Sequence, residues 1–117
     1  MDDPLLAVPG TRRPRAEVEV LRLRLARLVE RDPADAVARG ALDAARWTLH
    51  EIAPGPLSPD RAADVVGVEA EWEQSRGVAL GVRTGDQARA AGVRAWLEWW
   101  LCMSAPPAWM ALIRRPR

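Results

Sequence analysis

Arg94-Ala95-Trp96-Leu97-Glu98-Trp99-Trp100-Leu101-Cys102-Met103 holds three of the chain's six tryptophans, and its reading decides the fold. At about 100° per residue, Gly92, Val93, Trp96, Trp99, Trp100 and Met103 share one broad side and Leu97 and Leu101 widen it. Only Gln87, Arg94 and Glu98 are left as a polar strip. A helix this apolar needs cover nearly all round. Burying one tryptophan removes roughly 150–250 Å² from water, which at about 25 cal/mol per Å² is on the order of 4–6 kcal/mol gross. Three of them rival the net stability of a domain, roughly 5–15 kcal/mol. The stretch is therefore expected to be the central filling of a small helical bundle.

Working upstream, Thr84-Gly85-Asp86-Gln87 has the spacing of a capping box, placing the start of this helix near residue 85 and its end near residue 103. Before it, Gly77, Gly81 and Gly85 fall every fourth position. A glycine-rich loop ahead of a helix is where phosphates are held, but the segment has neither a Lys-Ser/Thr ending nor GxGxxG spacing. It reads as a connector whose Val78, Leu80 and Val82 tuck into the core. Ser58-Pro59-Asp60 has the cap-then-proline order of a helix start, which predicts a helix over 59–76 with Ala62, Val65, Val68 and Trp72 inward. Glu69 and Arg76 fall on nearly the same side, with Glu69 available to pair with Arg76 or another arginine, and Gly67 weakens the helix by about 1 kcal/mol. Glu69, Glu71 and Glu73 do not imply a carboxylate pair, because residues two apart do not face each other on a helix.

Ala53-Pro54-Gly55-Pro56 ends an earlier helix, predicted over 33–53 from Asp32-Pro33-Ala34-Asp35. Ala38, Ala41, Leu42, Ala45, Leu49 and Ile52 share one of its faces. Trp47 lies about half a turn away, among Arg39, Asp43, Arg46 and His50. Two readings stay open for it: a second-side contact within the bundle, or an anchor for another protein, tryptophan and arginine being enriched at interface hot spots. Residues 15–31 place Val18, Leu21, Leu25, Leu28 and Val29 on one face with helical spacing.

The ends differ in character. Residues 1–14 carry Pro4, Pro9, Gly10 and Pro14 and read as a flexible arm, with a basic cluster at Arg12, Arg13 and Arg15. Ser104-Ala105-Pro106-Pro107 stops the last helix, and the tail over 106–117 joins Trp109, Met110, Leu112 and Ile113 to Arg114, Arg115 and Arg117. Such a tail can fold back as a lid, dock on protein, or lie on an anionic membrane; its apolar part is short for a membrane anchor, so docking on protein is expected. The fold class predicted is all-α: a compact bundle of about four helices over residues 15–105, with arm and tail attached.

Composition sets the outer bounds. A length of 117 residues suits one core. Hydrophobic content of 49% and charged content of 28% are those of a globular chain. All 17 basic residues are arginine and Lys, Asn, Phe and Tyr are absent, which points to a GC-rich genome. A net charge of +1 argues against a dedicated nucleic-acid domain. The one cysteine excludes an internal disulfide and suits a reducing compartment. With no long uncharged apolar run and no basic-then-apolar leader, a cytoplasmic location is expected.

Catalytic chemistry is thinly represented. The hydroxyls are Ser58, Ser75, Ser104, Thr11, Thr48 and Thr84, beside one histidine and one cysteine. Cys102 sits between Leu101 and Met103 with no Lys or His within a turn to lower its pKa. His50 has no second histidine or ligating cysteine near it, so no metal is implied, and nothing implies a cofactor. The reading is a small non-catalytic helical protein acting through protein contacts, as accessory subunit, adaptor or inhibitor, or by self-association. Trp47, Arg46, His50, Trp109 and Met110 are its candidate partner contacts. One alternative is nucleic-acid binding through Arg12, Arg13, Arg15, Arg114, Arg115 and Arg117, with affinity falling steeply as salt rises. A second is peripheral membrane association through the tail.

Overall fold

The computed structural model describes residues 10–101. Four helices follow one another: α1 (Arg15–Arg31), α2 (Ala36–Thr48), α3 (Val65–Ala79) and α4 (Gln87–Trp100). The architecture is an all-α bundle of four helices. The tryptophan-bearing α4 is its centre, packing most extensively on α2 and then on α3, while α1 covers α2. No helix among the described residues is long and apolar enough to cross a membrane.

α1 has its predicted bounds, and Val18, Leu21, Leu25 and Leu28 are its buried residues. The other three helices start later than their sequence signals suggest, and each begins at an aspartate. Asp32 is the C-cap of α1, its N–H donating to Leu28 O. It is thus part of the preceding helix, and a turn closed by Asp35 N–H on Asp32 O carries the chain to Asp35. Asp35 then accepts from Ala38 N at 3.0 Å and starts α2. Ser58 cannot start α3 because its hydroxyl donates to Gln74 Oε1 and its N–H to Glu71 Oε2; Asp64 caps instead, accepting from Gly67 N at 2.7 Å. Asp86 takes the place of the Thr84 capping box, accepting from Arg89 N at 3.0 Å, and Thr84 is exposed.

α2 also stops earlier than expected, at Thr48. Beyond the Leu49 cap, His50 is in the left-handed region at φ 60°, its N–H donating to Trp47 O, and Glu51 N–H reaches back to Arg46 O at 2.8 Å. Two carbonyls of the last turn are satisfied that way and the chain leaves sideways. Arg22 of α1 clamps this corner with a two-pronged contact to Glu51, Nε to Oε1 at 2.9 Å and Nη2 to Oε2 at 2.6 Å. The hydrogen bond to Glu51 holds the Arg22 pKa above its ordinary value.

The core is dominated by indoles. Trp47, Trp96, Trp99 and Trp100 are all at most 2% exposed. Trp96 lies 5.0 Å from Trp99 between ring centroids, tilted by 51°, within the range where aromatic pairs add to plain burial. The Trp96 indole N–H donates to Thr48 Oγ1 at 3.0 Å, and that hydroxyl donates back to Ala44 O in its own helix. A glycine on each helix makes the approach possible: Gly40 of α2 faces the Arg89 carbonyl of α4 and Gly92 of α4 faces the Val37 carbonyl of α2, each where a Cβ would collide.

Several sequence expectations are corrected here. Trp47 is wholly buried and its indole N–H donates to Arg61 O at 3.2 Å, so it is a core residue and not a surface anchor. Val78 tucks inward as expected, but Leu80 and Val82 are 58% and 80% exposed, because the turn after α3 carries them outward. Residues 10–14 belong to the packed body. Thr11 Oγ1 donates to Trp100 O at 2.6 Å, and Arg13 Nε donates to Trp99 O at 3.0 Å. Both contacts meet the C-terminal turn of α4, where a guanidinium also favours the helix dipole. The same guanidinium lies 5.0 Å from the centroid of the Trp99 ring.

Candidate interaction surface

α3 has an uncovered side that carries the exposed Val65 and Val66. Its buried residues are Gly67, Val68, Glu71, Ser75 and Val78. The inward face is therefore rotated from the one the sequence suggested, and two polar side chains occupy it. Ser75 Oγ donates to Trp72 O at 2.7 Å within the helix. Glu71, fully buried, draws the segment between α2 and α3 onto the bundle: Arg61 Nη1 donates to Oε1 at 2.6 Å, and Leu57 N and Ser58 N donate to Oε2. With Glu71 turned inward, Val65 and Val66 turn outward, 64% and 77% exposed.

Three shallow depressions with shared lining residues extend from the segment before α3 to its outer side. The first, floored by Trp47, Ile52 and Ala62, is bounded by His50 and Asp64. The second shares His50, Ala63 and Asp64 and adds Val65, Val68, Trp100 and Leu101, with Gly10 on its rim. The third, about 530 Å³, lies between α3 and Leu101, with Val66, Ala70 and Trp72 as its apolar lining and Glu69 and Glu73 on its edge. Those two glutamates are both exposed and one helical turn apart, and they form no ion pair with another described residue; Glu69 does not reach Arg76. Like charges at this spacing repel, so the edge is ready for a cation. The Trp72 indole N–H is buried and has no acceptor among the described residues.

The residues singled out from sequence divide unevenly around this belt. His50 lies on it, lining two of the three depressions. Arg46 is half-buried and contributes its carbonyl to the α2 corner. Trp47 contributes only to a floor. Trp109 and Met110 lie outside the described residues, as do Arg114, Arg115 and Arg117. Of the N-terminal cluster, Arg12 is exposed, Arg13 caps α4, and Arg15 stands 3.9 Å from Glu19. Sequence reasoning missed Glu71, Arg61, Val65 and Val66. The available signal was the 3-4-3 spacing of Val68, Glu71, Ser75 and Val78, a helical stripe that a count of apolar residues passes over because half of it is polar.

His50 holds its left-handed backbone without being glycine, at an expense of about 1–2 kcal/mol. Glycine relieves this but has more freedom to lose on folding, by about 0.5–1 kcal/mol. His50→Gly is therefore expected to raise stability by about 0.5–1 kcal/mol in chemical denaturation. A loss instead would mean that the imidazole itself holds the corner.

Among the described residues, no group of three or more His, Cys, Asp or Glu side chains is placed to hold a metal ion. No family model matches the chain, and neither a curated protein nor a solved structure matches it.

Proposed function

We propose that this chain is a non-catalytic protein-binding module, an adaptor or accessory subunit, which receives an apolar segment flanked by basic residues along the outer side of α3. The observation that carries the reading is the groove beside Trp72, apolar along Val66, Ala70 and Trp72 and edged by Glu69 and Glu73, which form no ion pair with another described residue. An amphipathic segment in such a groove gains apolar burial from its anchors and register from its charges. The non-catalytic part rests on the hydroxyls: those of Thr11, Thr48, Ser58 and Ser75 all donate to internal acceptors that hold the fold.

The test is a photoreactive benzoylphenyl side chain at Val66, with a second at exposed Thr84 as control. Irradiation in the native host is expected to give an adduct from position 66 whose cross-linked peptide is apolar with flanking Arg or Lys. Val66→Gln is then expected to weaken binding to that partner about tenfold, as loss of an interface anchor worth about 1.4 kcal/mol does, while leaving stability within about 0.5 kcal/mol. Equal adducts from positions 66 and 84, or an acidic cross-linked peptide, would overturn the reading.

A further inference from the structure

We infer that the segment this groove takes is the outer face of α1 from a second copy of the chain, so that copies associate head to tail. This rests on the reading of the groove as a segment-binding surface and names its occupant. α1 carries two faces. Val18, Leu21, Leu25 and Leu28 are buried on the side that covers α2. On the opposite side Val20, Leu23, Arg24, Arg27 and Arg31 are exposed, the two apolar residues by 47% and 46%. Arg24, Arg27 and Arg31 line one depression with a single carboxylate, Glu30, among them. None of the three arginines forms an ion pair with another described residue. Like charges three and four positions apart on a helix repel, so this face is as ready for carboxylates as Glu69 and Glu73 are for a cation.

The two faces also match in spacing and order. Val20, Leu23, Arg24 and Arg27 repeat the i, i+3, i+4, i+7 positions of Val66, Glu69, Ala70 and Glu73, each set spanning about 10 Å at roughly 1.5 Å per residue. In both helices the exposed valine stands at the N-terminal end and charges follow. Laid parallel, they bring Val20 to Val66, Leu23 to the lining formed by Ala70 and Trp72, and Arg24 and Arg27 to Glu69 and Glu73. Charge decides between symmetric and unsymmetric pairing. Two α1 faces would oppose arginine to arginine and two grooves glutamate to glutamate, whereas α1 on the groove opposes unlike charges, as complementary interfaces do. An unsymmetric contact leaves each copy with one face open, so association continues to a ring or to a chain of copies.

Charge exchange in the purified full chain tests this without any other protein. The weight-average mass of the parent, by analytical ultracentrifugation, is expected to rise with concentration. Arg24→Glu with Arg27→Glu should weaken this association at least about tenfold, and so should Glu69→Arg with Glu73→Arg, since each pair sets like charges against each other. All four changes in one chain should restore it, as should mixing the two double variants. Should either double variant fail to fold, the benzoylphenyl side chain at Val66 in the purified parent gives a second measurement. Its expected product is a covalent dimer whose cross-linked peptide lies within residues 20–30 of the other copy. Self-association that survives Glu69→Arg with Glu73→Arg would overturn the inference in favour of paired α1 faces, and survival of Arg24→Glu with Arg27→Glu would do so in favour of paired grooves. A parent chain that stays monomeric up to millimolar concentration would also overturn it. The broader reading fails separately, by the absence of a position-66 adduct in the native host.

Discussion

Gly92→Ala is expected to lower the stability of this protein by about 3 kcal/mol or more, although alanine is the better helix former. On helix propensity alone the substitution should stabilise α4 by about 0.8–1.0 kcal/mol. Packing reverses the sign. A Cβ at Gly92 would run into the Val37 carbonyl oxygen of α2, with the carbonyl carbon at 2.8 Å and Ala41 N at 2.9 Å. Gly40 is the reciprocal case, its Cβ falling on the Arg89 carbonyl of α4. In both places the obstacle is backbone, which cannot swing aside as a side-chain end does, so relief requires α2 and α4 to move apart.

That separation would strain more than the crossing itself. The Trp96–Thr48 hydrogen bond and the Arg89–Asp43 ion pair both bridge the same two helices. Overpacking in cores costs about 1–3 kcal/mol and occasionally more, and a backbone obstacle belongs at the upper end. At roughly 4–8 °C per kcal/mol for a domain of this size, the midpoint of thermal unfolding should fall by about 12 °C or more. Gly40→Ala should behave alike. The double variant should lose clearly less than the sum, because one separation of the helices accommodates both methyl groups. A rise in the unfolding temperature of either single variant would show that the helices do not cross this closely.

The same crossing shows what the sequence could disclose. The centrality of α4 was legible because tryptophan burial is large enough to dominate, and α1 was legible because its apolar residues repeat cleanly. Gly40 was not, though a glycine amid good helix formers signals a close neighbour. Trp47 was ambiguous for a physical reason: α2 is buried on two sides, so no single-face count could place a residue half a turn off the alanine stripe. Helix starts were misplaced wherever two capping residues stood a few positions apart, since the choice between Asp32 and Asp35, or Ser58 and Asp64, depends on which side chain is engaged elsewhere. For Ser58 that engagement is with Glu71 and Gln74. The belt along α3 was hidden by the same residue: until Glu71 is known to point inward, nothing says that Val65 and Val66 point out.

Glu71→Ala is accordingly expected to have an effect comparable to that of Gly92→Ala, but through a different failure. The carboxylate is fully buried and accepts from Arg61 Nη1 at 2.6 Å, Leu57 N at 2.7 Å and Ser58 N at 3.3 Å. Removing it leaves two backbone N–H groups without their carboxylate acceptor and a partly exposed guanidinium that retains Gln74 Oε1 at 3.0 Å. A donor left unsatisfied on burial costs about 1–3 kcal/mol, so a loss of about 3 kcal/mol is expected. Glu71→Gln should lose about 2 kcal/mol: it keeps one acceptor oxygen, but its amide must then face either the guanidinium or the two N–H groups, donor against donor. Arg61→Ala in the Glu71→Ala background should add less than it costs alone, the two residues acting as a unit. The segment carrying Ala62, Ala63 and Asp64 borders two of the three depressions, so its release should also open the groove region. Trypsin should then cut after Arg61 in Glu71→Ala under conditions where the parent chain is spared, because Arg61 is held there through its side chain on Glu71 and its carbonyl on Trp47. A stability loss below about 1 kcal/mol would place Glu71 in an ordinary surface ion pair and remove it as the residue that positions this side of the site.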